Sequence, residues 1–299
     1  MDEVKAYRPL KSSHTFHYTI RGVRYAVRMW GPKKARSLVL LHGIRDTSAS
    51  FQFVVDALQM EWRIIAPDWR GHGGSDRTNY EYWFHDYVAD LDQILEILLP
   101  DQPADLVGHS LGGNVASVYA GLRPERVAHM ISIDAFGFLE PSDTEFADRL
   151  SRWLQKGRSQ RSPKTYKSID EMALKLCEAN RRLTHGKAMY LAKTLSRPRR
   201  DGFTWQFDGS ERRSMPTMHT LREWAACWGR ITARKLWIAA SDIRPGSLAA
   251  DPKSYAFMVD HIHPESVISI PNTGHSIHHD APTRLAEIIE GFMCDRDVT

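Results

Sequence analysis

One serine stands in a local sequence that is typical of an activated nucleophile. Ser110 lies in the run Gly108-His109-Ser110-Leu111-Gly112, directly after a predicted strand and directly before a predicted helix. A serine on such a tight turn is held in a strained backbone conformation that exposes its hydroxyl. Glycines two residues to either side leave room for the neighbouring chain. The following helix directs its N-terminal N–H groups toward the same place, where they could stabilise an anion. The pattern predicts nucleophilic chemistry at Ser110.

A serine hydroxyl needs a neighbouring base to become a nucleophile at neutral pH. Among 14 histidines, His275 is the best placed, because it follows Asn272-Thr273-Gly274 and an apolar strand predicted at residues 267–270. The loop at the carboxyl end of a strand is where an open α/β sheet carries its site. We therefore predict His275 as the general base. His109 is interpreted as structural, and His278 and His279 as structural or surface residues.

Two aspartates compete to be the acid that orients the imidazole and stabilises its protonated form. Asp242 follows the strand predicted at residues 235–240 and lies between Ser110 and His275 in the chain. Asp134 follows the strand predicted at residues 127–133. We favour Asp242, with Asp134 as the alternative.

The segments around these residues alternate between strands and helices. Strands are predicted at residues 37–41, 62–66, 104–107, 127–133, 235–240 and 267–270, and helices at residues 82–99, 111–122, 221–230, 254–261 and 283–292. The strand at residues 37–41 is a continuous apolar run, which is typical of a strand buried on both faces, and residues 62–66 are interpreted as another buried strand. The alternation predicts an α/β fold with a mostly parallel central sheet and helices on both faces.

The alternation stops after Phe138 and resumes near Leu221, and the interval contains helical stretches but no buried strand. We predict a helical cap inserted at residues 138–215 into a core of residues 1–137 and 216–299. Residues 142–216 carry 17 Lys and Arg against 9 Asp and Glu. We interpret these charges as solvated helix faces, with a field that steers anionic substrates as the alternative.

Five motifs in a fixed order make the chain resemble the α/β-hydrolase fold superfamily, in its cap-bearing, single-domain group of serine hydrolases. They are His42-Gly43, the glycine-rich run at residues 68–76, the nucleophile turn, Arg123-Pro124-Glu125-Arg126-Val127, and Gly274-His275. The resemblance covers about residues 16–292 and implies a Ser-Asp-His triad in that chain order. The chain departs from the family at the acid, because Ala239-Ala240-Ser241-Asp242 stands where the family usually has Gly-x-x-Asp. Some relatives take their acid from the strand that Asp134 follows.

Attack on a carbonyl creates an oxyanion that needs two preorganised N–H donors. The backbone of Leu111, which follows the nucleophile, is one predicted donor. The resemblance implies that the backbone of Ile44, after His42-Gly43, is the other, and that His42 is structural. The run at residues 68–76 is interpreted as a structural loop rather than a phosphate site, because no Gly-Lys-Ser/Thr follows it.

Composition excludes several classes of protein. Hydrophobic residues at 42% and charged residues at 25% exclude disorder as the main state. No apolar run approaches the ~18 residues of a membrane span, and no secretory signal is visible. Three scattered cysteines without a CxxC motif argue against a disulfide framework and a zinc finger, and favour the cytoplasm. No nucleic-acid-binding module, cofactor site or metal site is predicted.

These observations favour a cofactor-free serine hydrolase that cleaves a small or medium ester, thioester or lactone through an acyl-enzyme. A carbon–carbon bond hydrolase or an amidase on the same triad is the alternative enzyme. A non-catalytic ligand receptor is the alternative of another class. Serine at position 110 argues against haloalkane dehalogenases and epoxide hydrolases, which resemble this fold but need aspartate there. We expect a small-molecule substrate, and a homodimer is left open.

Overall fold

The computed structural model describes residues 6–78, 82–137, 146–157, 164–207, 220–243 and 250–296. The strands in these ranges are β1 (Ser13–Ile20), β2 (Val23–Trp30), β3 (Ser37–Leu41), β4 (Arg63–Pro67), β5 (Ala104–His109), β6 (Val127–Ile133), β7 (Ser196–Arg199), β8 (Gly202–Trp205), β9 (Arg234–Ala240) and β10 (Ser266–Ile270). The α-helices are α1 (Gln52–Ala57), α2 (Phe84–Leu98), α3 (Leu111–Leu122), α4 (Phe146–Gly157), α5 (Ile169–Ala179), α6 (His185–Thr194), α7 (Leu221–Trp228), α8 (Pro252–Ile262), α9 (Ile277–Asp280) and α10 (Pro282–Met293). None of these helices combines the length and the apolar character that crossing a bilayer requires.

Eight of the described strands form one sheet in the order β1-β2-β4-β3-β5-β6-β9-β10. Strands β1 and β2 pair in antiparallel fashion, as do β2 and β4, and the remaining pairs are parallel. Every residue of β3 and β5 is buried, because helices cover both faces of the sheet. One apolar layer includes Leu91 of α2, Val115 of α3 and Trp228 of α7, and the opposite layer includes Val54 of α1 and Leu285 of α10. The predicted α/β fold with a mostly parallel sheet is confirmed.

The parallel strands bring several candidate residues to one edge of the sheet. Because β3, β5, β6, β9 and β10 run in the same direction, their carboxyl ends meet at this edge. In the pairing of β5 with β6, His109 lies opposite Ile133. Ser110 and Asp134 are the next residues on their two chains, so they leave the sheet at the same level.

The cap region combines helices α4, α5 and α6 with the antiparallel hairpin β7–β8. The cap was predicted as helical, and the hairpin is an addition to that prediction, because β7, which contains Arg197, Pro198 and Arg199, carries no apolar signal. Met172 and Leu191 belong to an apolar cluster that also contains Phe53 of the core. The predicted cap boundaries near residues 138 and 215 lie outside the described residues, so the division into core and cap stays a prediction.

Candidate active site

Ser110 sits on a sharp turn between β5 and α3. Its backbone has φ 52° and ψ −116°, a conformation that costs roughly 1–3 kcal/mol and persists only where the surroundings enforce it. The Ser110 N–H donates to the Ile133 carbonyl at 3.0 Å. A Cβ atom on Gly112 would lie 2.1 Å from the Leu41 carbonyl oxygen, so only glycine lets α3 pass this close to β3. The turn therefore fixes the position of the Ser110 side chain.

His275 lies in the loop after β10, and its ring reaches Ser110. The distance between His275 Nε2 and Ser110 Oγ is 3.0 Å. Two contacts hold this loop: the Gly274 N–H donates to Asp280 Oδ2 at 2.8 Å, and His109 Nε2 lies 2.8 Å from the His275 carbonyl oxygen. This arrangement allows the imidazole to accept the proton of the serine hydroxyl.

The carboxylate beside His275 belongs to Asp134. Asp134 Oδ2 lies 2.5 Å from His275 Nδ1, and only 16% of the Asp134 side chain is exposed. The neighbouring strand β9 holds this residue, because the Asp134 N–H donates to the Ile238 carbonyl at 2.7 Å and the Ala240 N–H donates to Asp134 Oδ1 at 3.2 Å. The contacts Ser110–His275–Asp134 form one continuous chain of hydrogen bonds.

The prediction that Asp242, rather than Asp134, is the acid beside His275 does not agree with the geometry of the site. The Asp242 side chain is 61% exposed and forms an ion pair with Arg182 of the cap region. Sheet order by itself does not exclude Asp242, because β9 lies directly beside β10, the strand before the His275 loop. The β5–β6 register brings Asp134, and not Asp242, level with the nucleophile. The departure from Gly-x-x-Asp at residues 239–242 was the sequence signal for this outcome.

The loop after β3 runs alongside Ser110. A Cβ atom on Gly43 would lie 3.2 Å from the Ser110 Cβ. His42 anchors this loop, because its Nε2 accepts from the Trp69 N–H at 2.9 Å and its Nδ1 donates to the Gly43 carbonyl at 2.7 Å. Burial lowers the pKa of His42, which favours the neutral ring that these two bonds require. The N–H groups of Ile44 and Leu111 follow Gly43 and Ser110 directly and remain the predicted oxyanion donors.

A buried group of polar side chains lies next to His275, on the side where its ring faces His109. The rings of His109 and His278 have centroids 4.3 Å apart, and His278 Nε2 lies 3.4 Å from Asp46 Oδ2. Burial lowers the pKa of His109 well below its ordinary value. Burial alone would raise the pKa of Asp46, but the hydrogen bond and charge of His278 outweigh it and leave that pKa below its ordinary value.

Asp46, His109 and His278 each offer one atom to a possible metal ion, and these atoms lie within 4.8 Å of one another. Sequence reasoning missed this group, because residues so far apart in the chain form no spacing motif. The sequence analysis predicted no metal site and therefore gave these three residues no shared role.

An apolar groove of about 560 Å³ lies between α2, α3 and α7. Its lining includes Val118, Tyr119 and Trp224 but none of Ser110, Asp134 or His275. The groove borders the C-terminal half of α3, whereas Ser110 precedes the N-terminus of that helix. Trp224 therefore lines a cavity away from Ser110, and Trp228 is buried in the core.

The sequence profile of one protein family, described as the alpha/beta hydrolase fold, matches residues 36–282. The chain belongs to the α/β-hydrolase fold family. The chain is 37% identical over 132 residues to the "Serine hydrolase-like protein" of Danio rerio. This match covers 44% of this chain and 39% of that protein. It is 30% identical over 169 residues to "Monoacylglycerol lipase abhd6-B" of Xenopus laevis, covering 55% of this chain and 48% of the lipase. The chain thus matches less than half the length of either relative.

Among solved structures, the thioesterase domain from the curacin biosynthetic pathway superposes with a TM-score of 0.83. The two chains are 22% identical, and the match covers 93% of this chain and 99% of that domain. At this identity the likeness shows the shared fold.

Proposed function

We propose that this protein is a serine hydrolase that cleaves a small or medium carboxylic ester or thioester through an acyl-enzyme on Ser110. The observation that carries the proposal is the alignment of three groups, with 3.0 Å between Ser110 Oγ and His275 Nε2 and 2.5 Å between His275 Nδ1 and Asp134 Oδ2. A ligand receptor on the same fold needs no such alignment. The strained backbone at Ser110 is a further feature that binding alone does not require.

In the acylation step, Ser110 Oγ attacks the substrate carbonyl carbon while His275 Nε2 takes the hydroxyl proton. The carbonyl oxygen becomes an oxyanion, which the N–H groups of Ile44 and Leu111 stabilise. Asp134 accepts the hydrogen bond from His275 Nδ1 and stabilises the imidazolium without taking its proton. When the tetrahedral intermediate collapses, the bond to the leaving group breaks and His275 Nε2 protonates the departing alcohol or thiol.

In the deacylation step, a water molecule takes the place of the leaving group. His275 Nε2 removes one proton from this water as its oxygen attacks the acyl carbon. The second tetrahedral intermediate then releases the carboxylic acid, and the proton on His275 returns to Ser110 Oγ. The cycle balances without a cofactor.

The contacts of the cap region support a substrate of limited size. The Asn180 side-chain amide donates to Asp280 Oδ1 at 2.7 Å, and the Lys187 ammonium donates to the His279 carbonyl at 3.1 Å. Both partners lie a few residues after His275, so the cap region is held beside the catalytic loop. A cap in that position restricts the space that a substrate can occupy. The names of the lipase and thioesterase relatives support ester and thioester substrates.

The test combines a reactive probe with a substrate panel. The wild-type protein should react with a fluorophosphonate probe, and Ser110→Ala should not. Among p-nitrophenyl esters of increasing acyl length and acyl-CoA thioesters, we expect turnover of short and medium esters, and the acyl-CoA arm decides whether thioesters are also cleaved. Equal labelling of both proteins would contradict the assignment of the nucleophile. A folded wild-type protein that neither reacts with the probe nor turns over any substrate would favour the receptor.

A further inference from the structure

The cluster of Asp46, His109 and His278 brings together two imidazoles and a carboxylate behind the catalytic serine. We propose that these three residues form an inhibitory binding site for a divalent transition-metal ion, best matched by Zn²⁺. Imidazole nitrogen and carboxylate oxygen are ligands that Zn²⁺ commonly takes in proteins, and three protein ligands leave a fourth position for water. The inhibitory part of the proposal rests on the proposed hydrolase function, whereas the binding part does not.

His109 is oriented as a metal ligand usually is. Its Nε2 lies 2.8 Å from the His275 carbonyl oxygen, so Nε2 carries the hydrogen and Nδ1 carries the lone pair. The Nδ1 atom is fully buried and has no hydrogen-bond partner among the residues that the structure describes. A metal-ligating histidine typically donates its other ring N–H to a carbonyl or carboxylate in this way. An ion would therefore supply the partner that His109 Nδ1 lacks.

Asp46 and His278 complete the donor set. Asp46 Oδ1 accepts from the Thr47 N–H at 2.8 Å, and Oδ2 accepts from the Ser50 hydroxyl at 2.7 Å, which fixes the carboxylate. His278 Nε2 lies 3.4 Å from Asp46 Oδ2, close to the ~3.4 Å that separates two ligands on a tetrahedral zinc ion with bonds of ~2.1 Å. The Nδ1 atom of His278 is buried, has no hydrogen-bond partner in the described part of the chain, and can carry the ring hydrogen when Nε2 binds the ion.

The position of the cluster couples it to catalysis. A Cβ atom on Gly43 would lie 2.9 Å from His109 Nδ1 and 3.2 Å from the Ser110 Cβ, so the cluster is adjacent to the loop of the predicted oxyanion donor. An ion held by His109 Nδ1, Asp46 and His278 would pull the adjacent Gly43 loop toward itself and shift the predicted oxyanion donor away from Ser110, while the His109–His275 hydrogen bond stays in place. We therefore expect Zn²⁺ to lower kcat more than it changes KM.

Binding is measured on protein freed of metal by a chelator, with Zn²⁺ by calorimetry and Co²⁺ by visible absorption. Wild type should bind one ion at this site, and Asp46→Asn and His278→Gln should each weaken binding at least ~10-fold. His17→Gln, at an exposed histidine of β1, is the matched control and should bind as wild type does. Ser110→Ala should also bind normally, which makes the readout independent of hydrolysis. Zn²⁺ should raise the Tm of wild type more than that of the two site variants.

Unchanged affinity in both site variants would overturn the proposal, and either variant suffices if the other fails to fold. Binding that is lost in Asp134→Asn but kept in Asp46→Asn would also overturn it, because the ion would then sit on the triad. Binding at the cluster without any loss of hydrolysis would overturn the inhibitory part. Absence of hydrolysis in metal-free wild type would contradict the proposed function, while the binding results would still decide the site.

Discussion

Ser110 can lose its hydroxyl without disturbing its turn, because the turn is held by the Ser110–Ile133 backbone bond and by the close approach of Gly112 to Leu41. Alanine keeps the Cβ atom and therefore the same backbone strain. We expect Ser110→Ala to lower kcat on the order of 10⁴–10⁶-fold with an unchanged Tm. The measurement is steady-state hydrolysis of the best p-nitrophenyl ester. Substantial esterase activity in a folded Ser110→Ala protein would refute Ser110 as nucleophile.

Two aspartates at the same edge of the sheet differ in what they contact, and this difference predicts their effects on catalysis. Asp134 contacts His275, whereas Asp242 contacts Arg182. Asp134→Asn should reduce kcat by roughly 10³–10⁴-fold, because the amide cannot stabilise the imidazolium and favours the wrong tautomer. Asp242→Asn removes only a largely exposed ion pair, and should reduce kcat less than about tenfold. Both variants are assayed side by side, and a reversed ranking would restore Asp242 as the acid.

At the scale of elements, the packing of α3 against β3 depends on Gly112. A Cβ atom there would lie 2.1 Å from the Leu41 carbonyl oxygen, and the rigid strand cannot move away. Overpacking of this kind costs about 1–3 kcal/mol or more, so Gly112→Ala should lower both the free energy of unfolding and the activity. The matched control is Gly229→Ala at the end of α7, where φ is −62° and the nearest atom would be 3.4 Å away. Urea unfolding of both variants checks the prediction, and equal stability would contradict it.

The elements of the core could be predicted from the sequence because their signals are local. A continuous apolar run predicted β3, a mostly apolar segment predicted β6, and the apolar face of a helix predicted α2 to within two residues at each end. The hairpin β7–β8 could not be predicted in this way. Its strands have four residues each and pair mainly with one another, so their partner, rather than their own composition, stabilises them.

The same difference between local signals and tertiary contacts decides which residues of the candidate site could be predicted. Ser110 and His275 were predictable because each lies in a short motif whose backbone requirements are visible in neighbouring residues. The acid was not, since chain order favoured Asp242, whereas the fold places the Asp134 carboxylate on His275 and the Asp242 carboxylate on Arg182. These contacts are tertiary, and the residues at the end of a strand do not state which side chain they will meet. The cluster of Asp46, His109 and His278 was hidden for the same reason.

At the scale of the whole molecule, residues of the predicted cap contact the loop that carries His275. Arg182 pairs with Asp242, and Asn180 and Lys187 contact the segment that follows His275. Burial lowers the pKa of Lys187. Cations of the basic segment at residues 142–216 are thus used in contacts with the core, and others pair within the segment, as Lys175 does with Glu178.

This pairing bears on whether the positive charge of the cap region steers substrates. A steering field is the sum over all surface charges, in which each ion pair largely cancels itself at a distance, and it is screened beyond a Debye length of ~8 Å at physiological salt. Because Arg182, one of the cations beside the catalytic loop, already has an anionic partner, we expect no preferential salt effect on anionic substrates. The measurement is kcat/KM for a matched anionic and neutral ester between low and moderate salt. Parallel, nearly flat responses are expected. A fall in kcat/KM with salt for the anion alone would show that the field of the cap attracts substrate, and Arg182→Gln would then test whether that cation contributes to it.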